Sequence, residues 1–405
     1  MAVDLVGVVV VAALAVLAPI IARLVGRVAK VPLVVFEIVL GLLVGPSVLG
    51  WVPVDGFIGV LAQFGLAMLF FMAGNEIDFA AIRGRPLRRA SLGWLLSLAI
   101  GIGLGLLLSP TLEAGVFIGV ALTSTALGTI MPMLRDAGEL STPFGRAVTA
   151  VGAVGEFGPL IAISLFLSGR TPLVGALVLI GFALITGLGI WLAARGPNTR
   201  LHRVVTATLH SSGQFGVRLV LLLVSALVVL SLALGIDMLL GAFAAGVLFR
   251  VLLSGAPKRD LEIMESKLEA VAFGFLVPIF FIYTGLAFDL DSLLTEPGAL
   301  LLLPVFLVLI LVVRGLPGTL AAPPGSTVRD RVALGLFSAT ALPIIVAVTD
   351  IGRDAGAIQP GAAAALVGAG MLSVLLFPLL ALLQRRRSAD GGIRPPDADR
   401  IPVEG

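Results

Sequence analysis

The chain has 405 residues, 59% hydrophobic and 13% charged, with 27 Lys and Arg against 24 Asp and Glu and a mean hydropathy of +1.13. Water-soluble domains carry about 25% charged residues, so the composition excludes a soluble globular protein and describes an all-α polytopic membrane protein. There is no cysteine, which excludes disulfides and Cys-ligated metals. The net charge of +3 does not signal nucleic-acid binding, because the arginines fall in loops between apolar runs.

With about 20 residues as the length of a spanning helix, the apolar runs predict about thirteen spans in chain order. They are 4–22, 31–50, 57–75, 90–109, 115–134, 146–168, 172–194, 216–234, 237–253, 268–288, 298–320, 331–350 and 361–383. The runs are too long and unbroken for barrel strands, which alternate. The first run has no charged n-region and no small-residue cleavage site, so it reads as a retained span.

Basic residues concentrate in every second loop. Arg23, Arg27 and Lys30 follow the first span, Arg83 to Arg89 the third, and Arg135 and Arg146 the fifth. Arg195, Arg200 and Arg203 follow the seventh, Arg250 to Lys267 the ninth, Arg329 and Arg331 the eleventh, and Arg385 to Arg387 the last. The other loops nearly lack Lys and Arg, with Arg170 and Arg353 as exceptions. The positive-inside rule then places the N-terminus outside a cell membrane and the C-terminus in the cytoplasm. His202 and His210 fall in a basic polar loop and cannot form a buried His-rich metal site. Residues 1–387 read as one membrane domain, and 388–405, polar and rich in Pro and Gly, as a disordered cytoplasmic tail. No appended soluble domain is expected.

Two short blocks repeat. Leu69–Phe79 (LFFMAGNEIDF) is echoed by Ile279–Leu290 (IFFIYTGLAFDL), and Thr125-Ala126-Leu127 by Thr340-Ala341-Leu342, each ahead of a proline, Pro132 and Pro343. Both matches lie seven spans apart. Seven is odd, so the two halves are inverted, an architecture whose broken helices mark the site in many secondary transporters.

Glu156 is a lone carboxylate near the middle of an apolar span. An ionised acid there is costly without a partner, and intramembrane acids mark ion or proton pathways. It can hold either a proton or a monovalent cation; the structural alternative is a carboxyl paired to an arginine. Thr123, Ser124, Thr125 and Thr129 precede Pro132, which is expected to break the helix and free the carbonyl near Gly128. Hydroxyls and freed carbonyls suit a partly dehydrated cation, or they bond back to their own helix. Ser338 and Thr340 ahead of Pro343 are their symmetry mates. Arg314 is either a charge partner for Glu156 or half-helix carbonyls, or a residue that snorkels to the interface. Glu37 and Glu76 read as solvated helix-end carboxylates, with a cation-attracting vestibule as the alternative. Asp237 and Asp289 have no special role. With no Walker loop, no HExxH and no Ser/His/Asp constellation, neither an ATP-driven pump nor an enzyme is supported, and no cofactor is expected.

Val31–Val52 (VPLVVFEIVLGLLVGPSVLGWV) resembles the opening motif of the monovalent cation:proton antiporter-2 family, in which Pro, Glu and Gly-Pro fall in this order. LFFMAGNEIDF resembles its next motif, TSTALGTIMPML its first broken helix, and VPIFFIYTGLAFDLDSL a later block. The resemblance implies an elevator-like homodimer with two crossing discontinuous helices. Its core would hold 90–168 and 298–383, its dimerisation part 4–75 and 216–288, and 172–194 would be the linker helix. Glu156 matches the indispensable acid, where Asp is commoner. Gly155 falls where many members carry Asp, Asn or Gln, and Arg314 where many carry Lys. A single acid implies electroneutral exchange of a proton for Na⁺ or K⁺. Kef-type members carry a soluble nucleotide-binding domain, and the expectation of none here argues against that gated subtype. The alternatives are a cation-coupled organic-anion symporter and a transport-dead membrane scaffold or sensor.

Overall fold

The computed structural model describes residues 5–26, 31–77, 82–166, 171–195, 214–253 and 257–390. All regular structure among them is helical. The first half runs α1 (Leu5–Val25), α2 (Leu33–Val44), α3 (Gly56–Glu76), α4 (Arg85–Leu108), α5 (Leu112–Ala121), α6 (Leu127–Asp136), α7 (Pro143–Phe166) and α8 (Pro172–Arg195). The second runs α9 (Phe215–Leu234), α10 (Met238–Leu252), α11 (Lys258–Val271), α12 (Val277–Leu286), α13 (Leu290–Thr295), α14 (Ala299–Ile310), α15 (Val328–Ser338), α16 (Pro343–Asp354) and α17 (Pro360–Asp390). Among the described residues, ten helical runs are long and apolar enough to cross a bilayer, and α2, α5 and α10 are shorter apolar helices.

Most expected spans coincide with one helix, and the departures have local causes. The expected span 268–288 is the apolar end of a longer rod. The charged α11 leads through a π-helical turn, Ala272–Leu276, straight into α12. The expected span 298–320 also holds a π-helical turn, Leu311–Gly315, with Arg314 inside it. Helix α17 continues to Asp390, so the first three residues of the expected tail are helical; 391–405 lie outside the described residues. His202 and His210 lie outside them too.

The helices pack as two sets. In one, α3 lies along α10 and α12, and α2 along α12. Gly41 of α2 sits against the Ile282 carbonyl, and Gly285 of α12 against the Ile38 carbonyl, so neither position has room for a Cβ. Small residues facing each other let two apolar helices approach closely, which is how helices associate in lipid. In the other set, α4 packs on α5 and α7, and α17 on α14 and α15. Helix α8 touches α7 of one set and α10 of the other.

The spans expected at 115–134 and 331–350 are both interrupted. The breaks fall at 122–126, between α5 and α6, and at 339–342, between α15 and α16. This corrects the role expected for Pro132, which lies inside α6 rather than at the break. The hydroxyls end the first half-helix instead. Thr123 Oγ1 donates to the Val120 carbonyl at 2.8 Å and Ser124 Oγ to the Ala121 carbonyl at 2.7 Å. Those carbonyls belong to the last turn of α5 and also accept the Thr123 and Ser124 N–H groups at 3.0 and 3.2 Å, so each hydroxyl bonds back onto the tightened turn that ends the helix. Pro343 does stand at a break, in the first turn of α16, where its missing N–H costs nothing.

Candidate ion-binding site

The two breaks meet. Ala126 N–H donates to the Thr340 carbonyl at 2.7 Å, and Thr125 Oγ1 to the Ser338 carbonyl at 2.6 Å. The repeated Thr-Ala-Leu blocks therefore touch one another at the crossing. Each unwound strand is also held by the helix after its second half-helix. Thr125 N–H donates to the Gly155 carbonyl of α7 at 2.9 Å, and Ala341 N–H to Ser373 Oγ of α17 at 3.0 Å. Buried backbone groups need partners, and here the partners are what fix the crossing. Ser373 was missed from sequence, although a lone hydroxyl in an apolar span was available as a signal.

Glu156 lies on α7 beside the first crossing strand and is 1% exposed. The Leu127 N–H, at the start of α6, donates to its carboxyl, while Oε2 has no hydrogen-bond partner among the described residues. A half-helix N-terminus thus faces an acid whose second oxygen is unused, and the positive end of a helix favours the charged form there. The structural alternative, a carboxyl locked to an arginine, is absent among the described residues.

Arg314 is the largest fully buried side chain, at 0% exposure, so it does not snorkel. Nor does it pair with Glu156. Its Nε donates to Thr125 Oγ1 and its Nη2 to the Val151 carbonyl, both at 2.7 Å, and Nη1 has no partner. Gly155 makes this possible: a Cβ there would overlap Arg314 Nη2 and Thr125 Oγ1. One arginine therefore ties the π-helical turn after α14, the first break and α7 together, using two of the charge-assisted bonds that a buried guanidinium requires.

The remaining expected ligands divide. Ser338 Oγ and Thr340 Oγ1 donate back to Leu334 and Leu336 of α15, at 2.6 and 3.1 Å, as Thr123 and Ser124 do on α5. These hydroxyls bond back to their own helices at the breaks. Thr125 alone among them reaches across to the other break. Thr129 is only partly buried and lines a cavity of about 1010 Å³ with Gly128 and Pro132 of α6. Pro132 has no N–H to give to the Gly128 carbonyl. The same cavity is lined by Glu37 and Glu76, so both line a vestibule. The solvated reading fails for Glu37, which is 4% exposed, and Glu76 is held 3.6 Å from Arg135. Asp237 and Asp289 are helix N-caps, bonding Leu239 N–H at 2.8 Å and Ser292 N–H at 2.9 Å.

A buried acid set against two crossed, unwound helix breaks inside an apolar bundle defines a membrane protein built as secondary transporters are built. A family model described as sodium/hydrogen exchanger, transmembrane, matches residues 12–382, and the chain belongs to that family. It is 25% identical to a putative Na⁺/H⁺ antiporter, YjbQ, of Bacillus subtilis over 86% of this chain, and 28% identical to cation/H⁺ antiporter 19 of Arabidopsis thaliana over 87%. The chain spans 58% and 46% of the length of those two relatives. Its fold is like that of the sodium proton antiporter MjNhaP1 from Methanocaldococcus jannaschii, with a TM-score of 0.65 at 17% identity, covering 95% of this chain and 97% of that one.

Proposed function

We propose that this chain exchanges protons for a monovalent cation, Na⁺ or K⁺, one for one across a cell membrane, with Glu156 holding either ion in turn. The observation that carries the reading is the unpartnered Oε2 of a buried Glu156, placed against the crossing of the two breaks. Ion ligands beside it would come from Thr125 and the crossing carbonyls, with Thr123, Ser124, Thr129, Ser338 and Thr340 completing the surroundings. Arg314 stays with the protein as a fixed positive charge that holds the break open; it is not the counter-ion of Glu156. One carried acid gives electroneutral exchange.

The two helix sets support an elevator assignment. The set with α4–α7 and α14–α17 corresponds to the core expected at 90–168 and 298–383. The set with α1–α3 and α9–α12 corresponds to the dimerisation part at 4–75 and 216–288, with α8 linking them. The cavity opens between the sets on the side of Arg135 and Arg385. The distribution of basic residues assigns that side to the cytoplasm, so in this conformation the cavity leads from inside as far as Gly128 and Thr129 of α6. An organic-anion symporter gains no support, because two nitrogens of Arg314 already serve the protein.

The test uses purified protein reconstituted into vesicles with a preset pH gradient. A pulse of Na⁺ or K⁺ collapses the gradient with the wild type and fails to do so with Glu156→Gln, which still inserts and remains monodisperse. Exchange that survives in Glu156→Gln would falsify the assignment.

A further inference from the structure

Four carboxylates line the cavity between the two helix sets: Glu37, Glu76, Glu139 and Glu269. Three of them have an arginine. Arg135 lies 3.6 Å from Glu76 and 3.3 Å from Glu269, and Arg385 lies 2.7 Å from Glu139. Glu37 has no ion pair and no hydrogen bond among the described residues. It is nonetheless more deeply buried than the others, at 4% exposure. It sits in the second turn of α2, on an apolar helix clamped to α12 through Gly41 and Gly285. A carboxylate removed from water without a cation beside it is disfavoured, and it holds a proton or acquires a counter-ion. The open space beside Glu37 provides the counter-ion's place. Across that space stand Gly128 and Thr129, and the next residue back, Leu127, donates to Glu156.

We propose that Glu37 is a second monovalent-cation site: an entry station on the helix set that does not carry the ion, which loads and unloads the transported cation from the cavity side. The inference rests on the exchange reading above. It adds a ligand that stays behind when Glu156 moves. Two acids are then present while one ion is carried per cycle, and exchange stays electroneutral. The lack of an arginine partner is the point of the design: a salt-bridged Glu37 would offer a passing cation nothing.

Two measurements test it. The first uses Glu156→Gln protein in detergent, so that Glu37 is intact and Glu156 cannot react. Dicyclohexylcarbodiimide couples to protonated carboxyls in apolar surroundings, and mass spectrometry of the peptide carrying residue 37 reads the label at an acidic and a near-neutral pH. We expect Glu37 to be labelled in choline chloride and protected by NaCl or KCl at equal ionic strength. Absence of label in choline, or a label that Na⁺ and K⁺ leave unchanged, overturns the proposal. The second uses vesicles. Glu37→Gln raises the half-saturating cation concentration about five-fold or more by removing the local negative charge, and Glu37→Asp falls between the two. An unchanged half-saturation in Glu37→Gln also overturns it. Loss of the exchange reading would appear separately, as wild-type vesicles in which no cation pulse moves protons.

Discussion

Substituting one methyl group at Gly155 tests how the site is held. In Gly155→Ala the new Cβ would overlap Arg314 Nη2 and Thr125 Oγ1, and lie 2.7 Å from Thr125 Cβ. The guanidinium has nowhere to retreat, being fully buried with Nε and Nη2 each committed at 2.7 Å. Bonds to charged groups contribute about 1.5–3 kcal/mol each. Losing one costs about 2–3 kcal/mol, and losing both sets a ceiling near 6 kcal/mol. We expect Gly155→Ala to lose about 3 kcal/mol in detergent-mixture unfolding and to lose most of its exchange. A double-mutant cycle assigns the cause. In an Arg314→Ala background the same glycine change costs less, by about 1–3 kcal/mol, the remainder being the clash with Thr125. A Gly155→Ala protein within about 0.5 kcal/mol of wild type, or a cycle with no coupling between 155 and 314, would refute the packing argument.

Three further outcomes follow from the geometry. Thr125→Val keeps the shape of the side chain but leaves Arg314 Nε without its acceptor and the Ser338 carbonyl without its donor. It should cost about 2–3 kcal/mol, while Thr125→Ser, which keeps both bonds, costs under about 1 kcal/mol; equal losses in the two would sink this account. Arg385 bonds Glu139 at 2.7 and 3.0 Å and Asp330 at 2.6 Å, and stacks 4.2 Å above the Phe144 ring. Because it is partly exposed, Arg385→Ala should lose only about 1–2 kcal/mol, measured by unfolding at low and high salt, with the high-salt difference the smaller. Asp237 caps α10 by accepting from the Leu239 N–H at 2.8 Å. Asp237→Ala should therefore cost about 1 kcal/mol, while Asp237→Asn, which caps as well as Asp, costs little; equal losses in the two melts would contradict the capping role.

What could be read from residues alone was whatever one chain segment decides locally. The apolar runs gave the helices, and the Thr-Ala-Leu repeat gave two interruptions in equivalent places, because a run of hydroxyls signals a helix end wherever it falls. The mechanism of the break was misread. Proline is the familiar helix breaker, but Thr123 and Ser124 cap α5 several residues earlier, and Pro132 sits in the second half-helix.

What sequence could not show was how residues distant in the chain combine. Arg314 looked like a partner for Glu156 because both are lone charges among apolar residues. The fold instead sends the guanidinium to Thr125 and Val151. Gly155 read as a departure from the polar residue common at that place, yet it is the space into which Arg314 fits. The two positions are one feature: a small residue on α7 and a long cation in the π-helical turn after α14, distant in sequence and legible only together. Glu37 was misjudged for a related reason. Nothing in the sequence VPLVVFEIVLG distinguishes a carboxylate at the water's edge from one sunk beside a cavity. That distinction comes from α12 and the α6 half-helix. The acid on α7 was evident from its isolation; the acid on α2 becomes evident only when its neighbours' arginines are counted and none is left for it.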